Sequence, residues 1–108
     1  MTEPPPATLF RRWYHSFEED AGSSIVYRPE GFPLPRARGR AGLEFRPDGT
    51  VVDWQIGPGD AGRPVEGRWL LEGPGRLRLA LPSGGRDRIV ELIAVEDDVL
   101  RLREVGPA

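Results

Sequence analysis

From Leu43 to Leu102 apolar and polar residues alternate with a period of two, and turn-forming clusters interrupt the pattern about every ten residues, the spacing of an all-β sandwich or barrel. Successive side chains of a strand point to opposite faces, so this alternation describes strands with one buried face. Leu43 and Phe45 are expected inward, and Arg46-Pro47-Asp48-Gly49 makes a tight turn in which glycine supplies a positive φ. Thr50, Val52, Trp54 and Ile56 are expected to return on the inner face, with Val51, Asp53 and Gln55 outward. Val65, Gly67, Trp69 and Leu71 alternate with Glu66, Arg68, Leu70 and Glu72, and Leu77, Leu79 and Leu81 follow after Gly73-Pro74-Gly75. Two further strands surround the Glu96-Asp97-Asp98 turn, the last carrying Leu100 and Leu102.

The first half is less regular. Residues 1–8 read as a disordered or extended lead-in, and residues 9–105 as a single barrel domain. In Leu9–Phe17, aromatic enrichment favours a strand with Leu9, Trp13, His15 and Phe17 on one face. A helix there would place Glu18, Glu19 and Asp20 at the negative end of its dipole. Ser24–Arg28 is a second strand. Pro29, Pro33 and Pro35 then exclude helix and central strand, leaving an extended loop pinned by Phe32 and Leu34. From position 36 the arginines at 36, 38 and 40 fall opposite Leu43 and Phe45 if one strand runs through. The fold class is therefore all-β: a small antiparallel up-and-down barrel of about eight strands, joined by short connections and closed to protect its edges.

Composition narrows the functional classes. The 108 residues contain no cysteine, which removes disulfide frameworks, thiol catalysis and zinc ribbons. With 15 basic and 17 acidic side chains spread along the chain, a net charge of -2 points away from nucleic acid as a partner. Every basic residue is arginine, which reads as coding bias before it reads as phosphate recognition. No apolar run approaches the ~20 residues that span a bilayer, and the proline-rich start lacks a signal sequence. No membrane partner and a cytoplasmic location are the resulting expectations. No metal or nucleotide motif stands in the chain, so no cofactor is expected. Val51, Leu70, Ile89 and Ile93 fall on outer or doubtful faces; gathered together they would make a partner surface, so a monomer and a homodimer both remain open.

Trp13, the Gly67-x-Trp69-x-Leu71 segment and Leu100-x-Leu102 resemble the strands of small lipocalin-like (calycin-type) barrels. The fuller set, W-x-H-S-x-E-E-D at 13–20, Y-R-P at 27–29 and P-R-x-R-G-R at 35–40, is similar to a group of short, uncharacterised bacterial proteins of that kind. The resemblance runs from about Arg12 to Arg103. It departs from lipocalins proper, which are longer and begin with Gly-x-Trp where Arg11-Arg12-Trp13 stands here. It implies a barrel with a disposition to bind something small, and it brings no reaction with it.

Several residues carry candidate chemistry. His15, the only histidine, is either a polar anchor or general base in an apolar pocket, or a buried histidine satisfied by a carboxylate. Glu18 and Glu19 are catalytic candidates beside it, or members of a rim network in which Glu18 and Asp20 pair with Arg38 and Arg40. As a binding site, Trp13, His15 and Trp54 would line a pocket, with Tyr27 at its edge and Arg36, Arg38 and Arg40 at its mouth for an anionic group. Asp60 is a lesser candidate. Three functions follow: a binding barrel for a small, partly apolar and anionic molecule, a barrel enzyme of isomerase, cyclase or hydratase type with His15 as base, or an interaction module.

Overall fold

The computed structural model describes residues 5–36, 40–56, 62–81 and 87–107. Their eight strands are β1 (Arg12–His15), β2 (Ser24–Pro29), β3 (Gly42–Phe45), β4 (Thr50–Ile56), β5 (Gly62–Gly73), β6 (Arg76–Ala80), β7 (Arg88–Val95) and β8 (Leu100–Pro107). They close into a barrel in the order β1-β2-β8-β7-β6-β5-β4-β3, and every neighbouring pair is antiparallel. The chain thus forms the expected all-β, eight-stranded antiparallel barrel.

One detail of strand order positions everything described below. β3 to β8 form a continuous meander, but β1, not β2, neighbours β3. β2 and β3 are both antiparallel to β1, so they run in the same direction on either side of it. The chain leaving β2 at Pro29 therefore travels the length of β1 before β3 begins at Gly42. The proline-rich segment is that strap; proline favours extended backbone and demands no ladder partner for its nitrogen.

The interior is filled by the chain itself. Trp13, Leu43, Phe45, Val51, Leu77, Leu79, Val90, Leu100 and Leu102 form one buried cluster. A 3-10 turn at Ala7–Leu9 drops Leu9 into it, and the Trp13 indole Nε1 donates to the Leu9 carbonyl at 3.0 Å. Phe10 stacks on Trp69 with ring centroids 5.8 Å apart. Burial of apolar area at about 25 cal/mol per Å² makes this plug and the rows beneath it the main stabilising term.

Three local expectations are corrected. Val51 and Asp53 face inward and Val52 and Trp54 outward, because Phe45 pairs with Val51 and Leu43 with Asp53. The cause is the turn. Arg46 N donates to Thr50 O at 2.9 Å and Gly49 N to Arg46 O at 3.1 Å, with Gly49 at φ 96°, so three residues lie between the paired ends. A three-residue loop keeps odd opposite odd, whereas a two-residue loop inverts the phase. Second, the strand near the start covers only Arg12–His15. A second 3-10 turn, Phe17–Glu19, follows it, pinned by Ser16 Oγ donating to Glu19 Oε2 at 2.7 Å, and Phe17 is 49% exposed. Third, no strand carries Arg36 or Arg40; β3 begins at Gly42.

Candidate functional site

A groove of about 530 Å³ opens on the outer wall, between the strap and β1. Its lining is mixed: Tyr14, Pro29, Phe32, Leu34 and Pro35 supply the apolar part, and Glu30, Arg36 and Arg40 the ionic part. Tyr14 is there because it alternates with the inward Trp13 and His15 on β1, which leaves it facing out beneath the strap. The strap is turned by Phe32 N donating to Pro29 O at 3.1 Å and Leu34 N to Phe32 O at 2.8 Å.

Two arginines fix the strap by gripping the acidic turn. Arg40, its side chain only 9% exposed, donates to both Glu18 oxygens at 2.9 and 2.7 Å, to Pro35 O at 2.6 Å and to His15 O at 2.9 Å. Arg28 donates to both oxygens of Glu19 at 2.8 and 2.7 Å and to Asp98 O at 2.8 Å, while its guanidinium carbon lies 4.4 Å from the Phe32 ring centroid. Each carboxylate responds. The Arg40 hydrogen bonds hold Glu18 below the ordinary carboxylate value, and the Arg28 bonds, then Ser16, pull Glu19 down to about 2. Asp20 completes the turn: its Oδ1 accepts from Val26 N at 2.8 Å, and its Oδ2 lies 2.7 Å from His15 Nε2. The turn thus folds back on the outer side of β2 and covers Val26.

A different polar group occupies the inward face at the end of the barrel where β4 finishes and β7 starts. Asp53, in the inner phase of β4, lies 3.6 Å from Arg88, and Arg88 is 2.7 Å from Glu104. Burial raises the pKa of the Tyr27 hydroxyl, and the neighbouring Arg88 charge opposes that rise. For Arg88 burial works downward, but Tyr27, Glu104 and Asp53 together hold the guanidinium above its ordinary value. This cation is already matched by two carboxylates.

The residues singled out from the sequence are thus dispersed. Trp13 is sealed in the core; His15 sits at the end of β1 between the Phe17 and Tyr27 rings, with centroids at 6.1 and 5.4 Å. Trp54 is on the outer wall, where the Arg12 guanidinium lies 3.9 Å from its ring centroid and 4.7 Å from that of Tyr14. Arg36 and Arg40 do meet, in the groove. Of the expected rim network, Glu18–Arg40 is present; Asp20 pairs with His15, and Arg38 lies outside the described residues, as does Asp60. Val51 is in the core, while Leu70 and Ile93 are exposed at 52% and 46%. Sequence reasoning missed Tyr14, Glu30 and Arg88, although the phase of Arg88 with Val90 was available as a signal. Among the described residues no helix is long and apolar enough to cross a membrane, and no three His, Asp or Glu side chains gather as metal ligands do. No known family model, curated protein or solved structure matches the chain.

Proposed function

We propose that the chain is a lipocalin-like barrel that binds a small, partly apolar anion in the groove on its outer wall, with Arg36 meeting the anionic group. The observation that carries this reading is the pairing of the groove's apolar side chains with an arginine that makes no ion pair among the described residues. Arg40 is spent on Glu18 and two carbonyls, whereas Arg36 makes no ion pair among the described residues. The groove's volume of about 530 Å³ falls in the range of ~300–1,000 Å³ typical of small-molecule sites. An interior ligand has less support, since the buried cluster around Trp13 occupies that space.

The enzymatic alternative asks His15 and a carboxylate to converge on open space. Asp20 holds His15 Nε2, Glu18 and Glu19 are each gripped by an arginine, and none of the four acidic and basic groups of that turn lines the groove. The interaction-module alternative would rest on Leu70 and Ile93, which lie on different strands, β5 and β7. Binding is the better-supported reading.

Titration calorimetry with 2-naphthoate tests it. Wild type binds, Arg36→Gln loses roughly fivefold in affinity, the scale of one exposed ionic contact, and Phe32→Ala weakens binding further. Binding that is absent, or that ignores both substitutions, sinks the proposal.

A further inference from the structure

The groove carries a second unneutralised charge, and it is negative. Glu30 has no cation partner among the described residues; its one polar contact is the Tyr14 hydroxyl, at 3.5 Å the limit of a hydrogen bond. An unpaired carboxylate in the same groove as Arg36 works against any ligand that is only an anion, because it offsets the attraction Arg36 offers. Arg12, stacked over the Tyr14 ring, makes no ion pair with Glu30, and the two other arginines nearby are engaged elsewhere. Arg40 and Arg28 have committed their donors to Glu18, Glu19 and three carbonyl oxygens.

The order of residues along the strap adds a spatial constraint. Glu30 precedes Phe32 and Leu34, and Arg36 follows them, so along the chain the two unpaired charges flank the apolar residues of the groove. A complementary molecule has an apolar body with a cationic group at one end and an anionic group at the other. Resting on the groove reading above, we infer that the ligand is a zwitterion of this kind, with the chemistry of a short apolar peptide bearing free termini. Its ammonium group pairs with Glu30, its carboxylate with Arg36, and its side chains pack on Phe32, Leu34 and Tyr14. Glu30 is then the specificity-determining residue: it distinguishes a free amino end from a blocked one.

Calorimetry with three probes tests this: the dipeptide Leu-Phe, its N-acetyl derivative (anion only) and its C-terminal amide (cation only). In wild type Leu-Phe binds tightest, by roughly three- to tenfold over each blocked form, the scale of one solvent-screened charge pair. In Glu30→Gln the advantage of Leu-Phe over its N-acetyl form disappears, while affinity for the N-acetyl form holds or rises. Glu30 is exposed, and an unchanged melting temperature confirms that Glu30→Gln is folded. If the N-acetyl form binds wild type as well as Leu-Phe does and still responds to Arg36→Gln, the zwitterion inference is overturned and the groove reading stands. If no peptide binds but 2-naphthoate does, the inference again falls alone. If neither the peptides nor 2-naphthoate bind, both fall.

Discussion

Trp13 separates a filled barrel from a ligand-holding one, because the two readings assign opposite costs to its removal. Its side chain is 0% exposed and its indole nitrogen donates to the Leu9 carbonyl. A buried aromatic side chain removes about 150–250 Å² from water, worth roughly 4–6 kcal/mol at about 25 cal/mol per Å². Alanine retains the β-carbon, which trims that loss, while the Leu9 carbonyl loses its donor at a cost of about 1 kcal/mol. Trp13→Ala is therefore expected to cost about 4–5 kcal/mol, near the top of the range for such truncations and a large share of the ~5–15 kcal/mol that holds a domain together. Trp13→Phe keeps most of the area and forfeits the hydrogen bond, so about 1–3 kcal/mol is expected; it remains measurable where the alanine variant fails to fold.

The assay is urea unfolding followed by far-UV circular dichroism, with the slope of free energy against urea compared between variants. An unchanged slope with the midpoint lowered by these amounts supports the filled interior. A Trp13→Ala cost below about 1 kcal/mol, at constant slope, refutes it: the side chain would then flank open space, and the ligand would belong inside the barrel.

Other perturbations test the remaining supports. Val51→Asp, at a position the turn at Pro47–Gly49 directs inward, abolishes cooperative melting because an unpaired buried charge costs several kcal/mol; a melting temperature close to wild type would mean that β4 has the opposite phase. Gly67 lies where a β-carbon would run into the Ala80 carbonyl and the Leu81 side chain, so Gly67→Ala should lose about 1–3 kcal/mol in the same urea assay, and no loss would disprove the close approach of β5 to β6. Glu19 is depressed to about 2 in the fold, so its contribution is fully present above its unfolded value near 4.5 and disappears as pH falls toward 2. The stability gap between wild type and Glu19→Gln should accordingly be constant above about pH 5 and shrink on acidification, and a gap that widens in acid would contradict the Arg28 pairing.

The barrel was legible because strand periodicity is local: Leu43 with Phe45, Leu77 with Leu79, and Leu100 with Leu102 each declare an inner face within three residues. The phase of β4 was harder to read, since it depends on whether two or three residues are counted into one turn, and that choice moved Trp54 and Val51 to opposite sides of the wall. His15 and the acidic turn were recognised as a group, but their partners are set by strand neighbours: Arg28 comes from β2, and Arg40 from the approach to β3.

The groove depended on a fact of a different order, the placement of β1 between β2 and β3. A clue was present in the length of the link over residues 30–41, since hairpin loops are usually about 2–5 residues and a longer link allows the chain to cross a strand. Prolines in that link read correctly as excluding helix and central strand; periodicity alone could not reveal what the extended chain would lie against. Once it crosses β1, the outward residue of that strand, Tyr14, acquires a wall of Phe32 and Leu34 opposite it. Neither Glu30 nor Arg36 makes an ion pair with the acidic turn, whose Glu19 and Glu18 carboxylates are already held by Arg28 and Arg40. The two groove charges are free because the strap is tethered by other residues, so the latch that shapes the site and the groups that would read a ligand are separate sets of side chains.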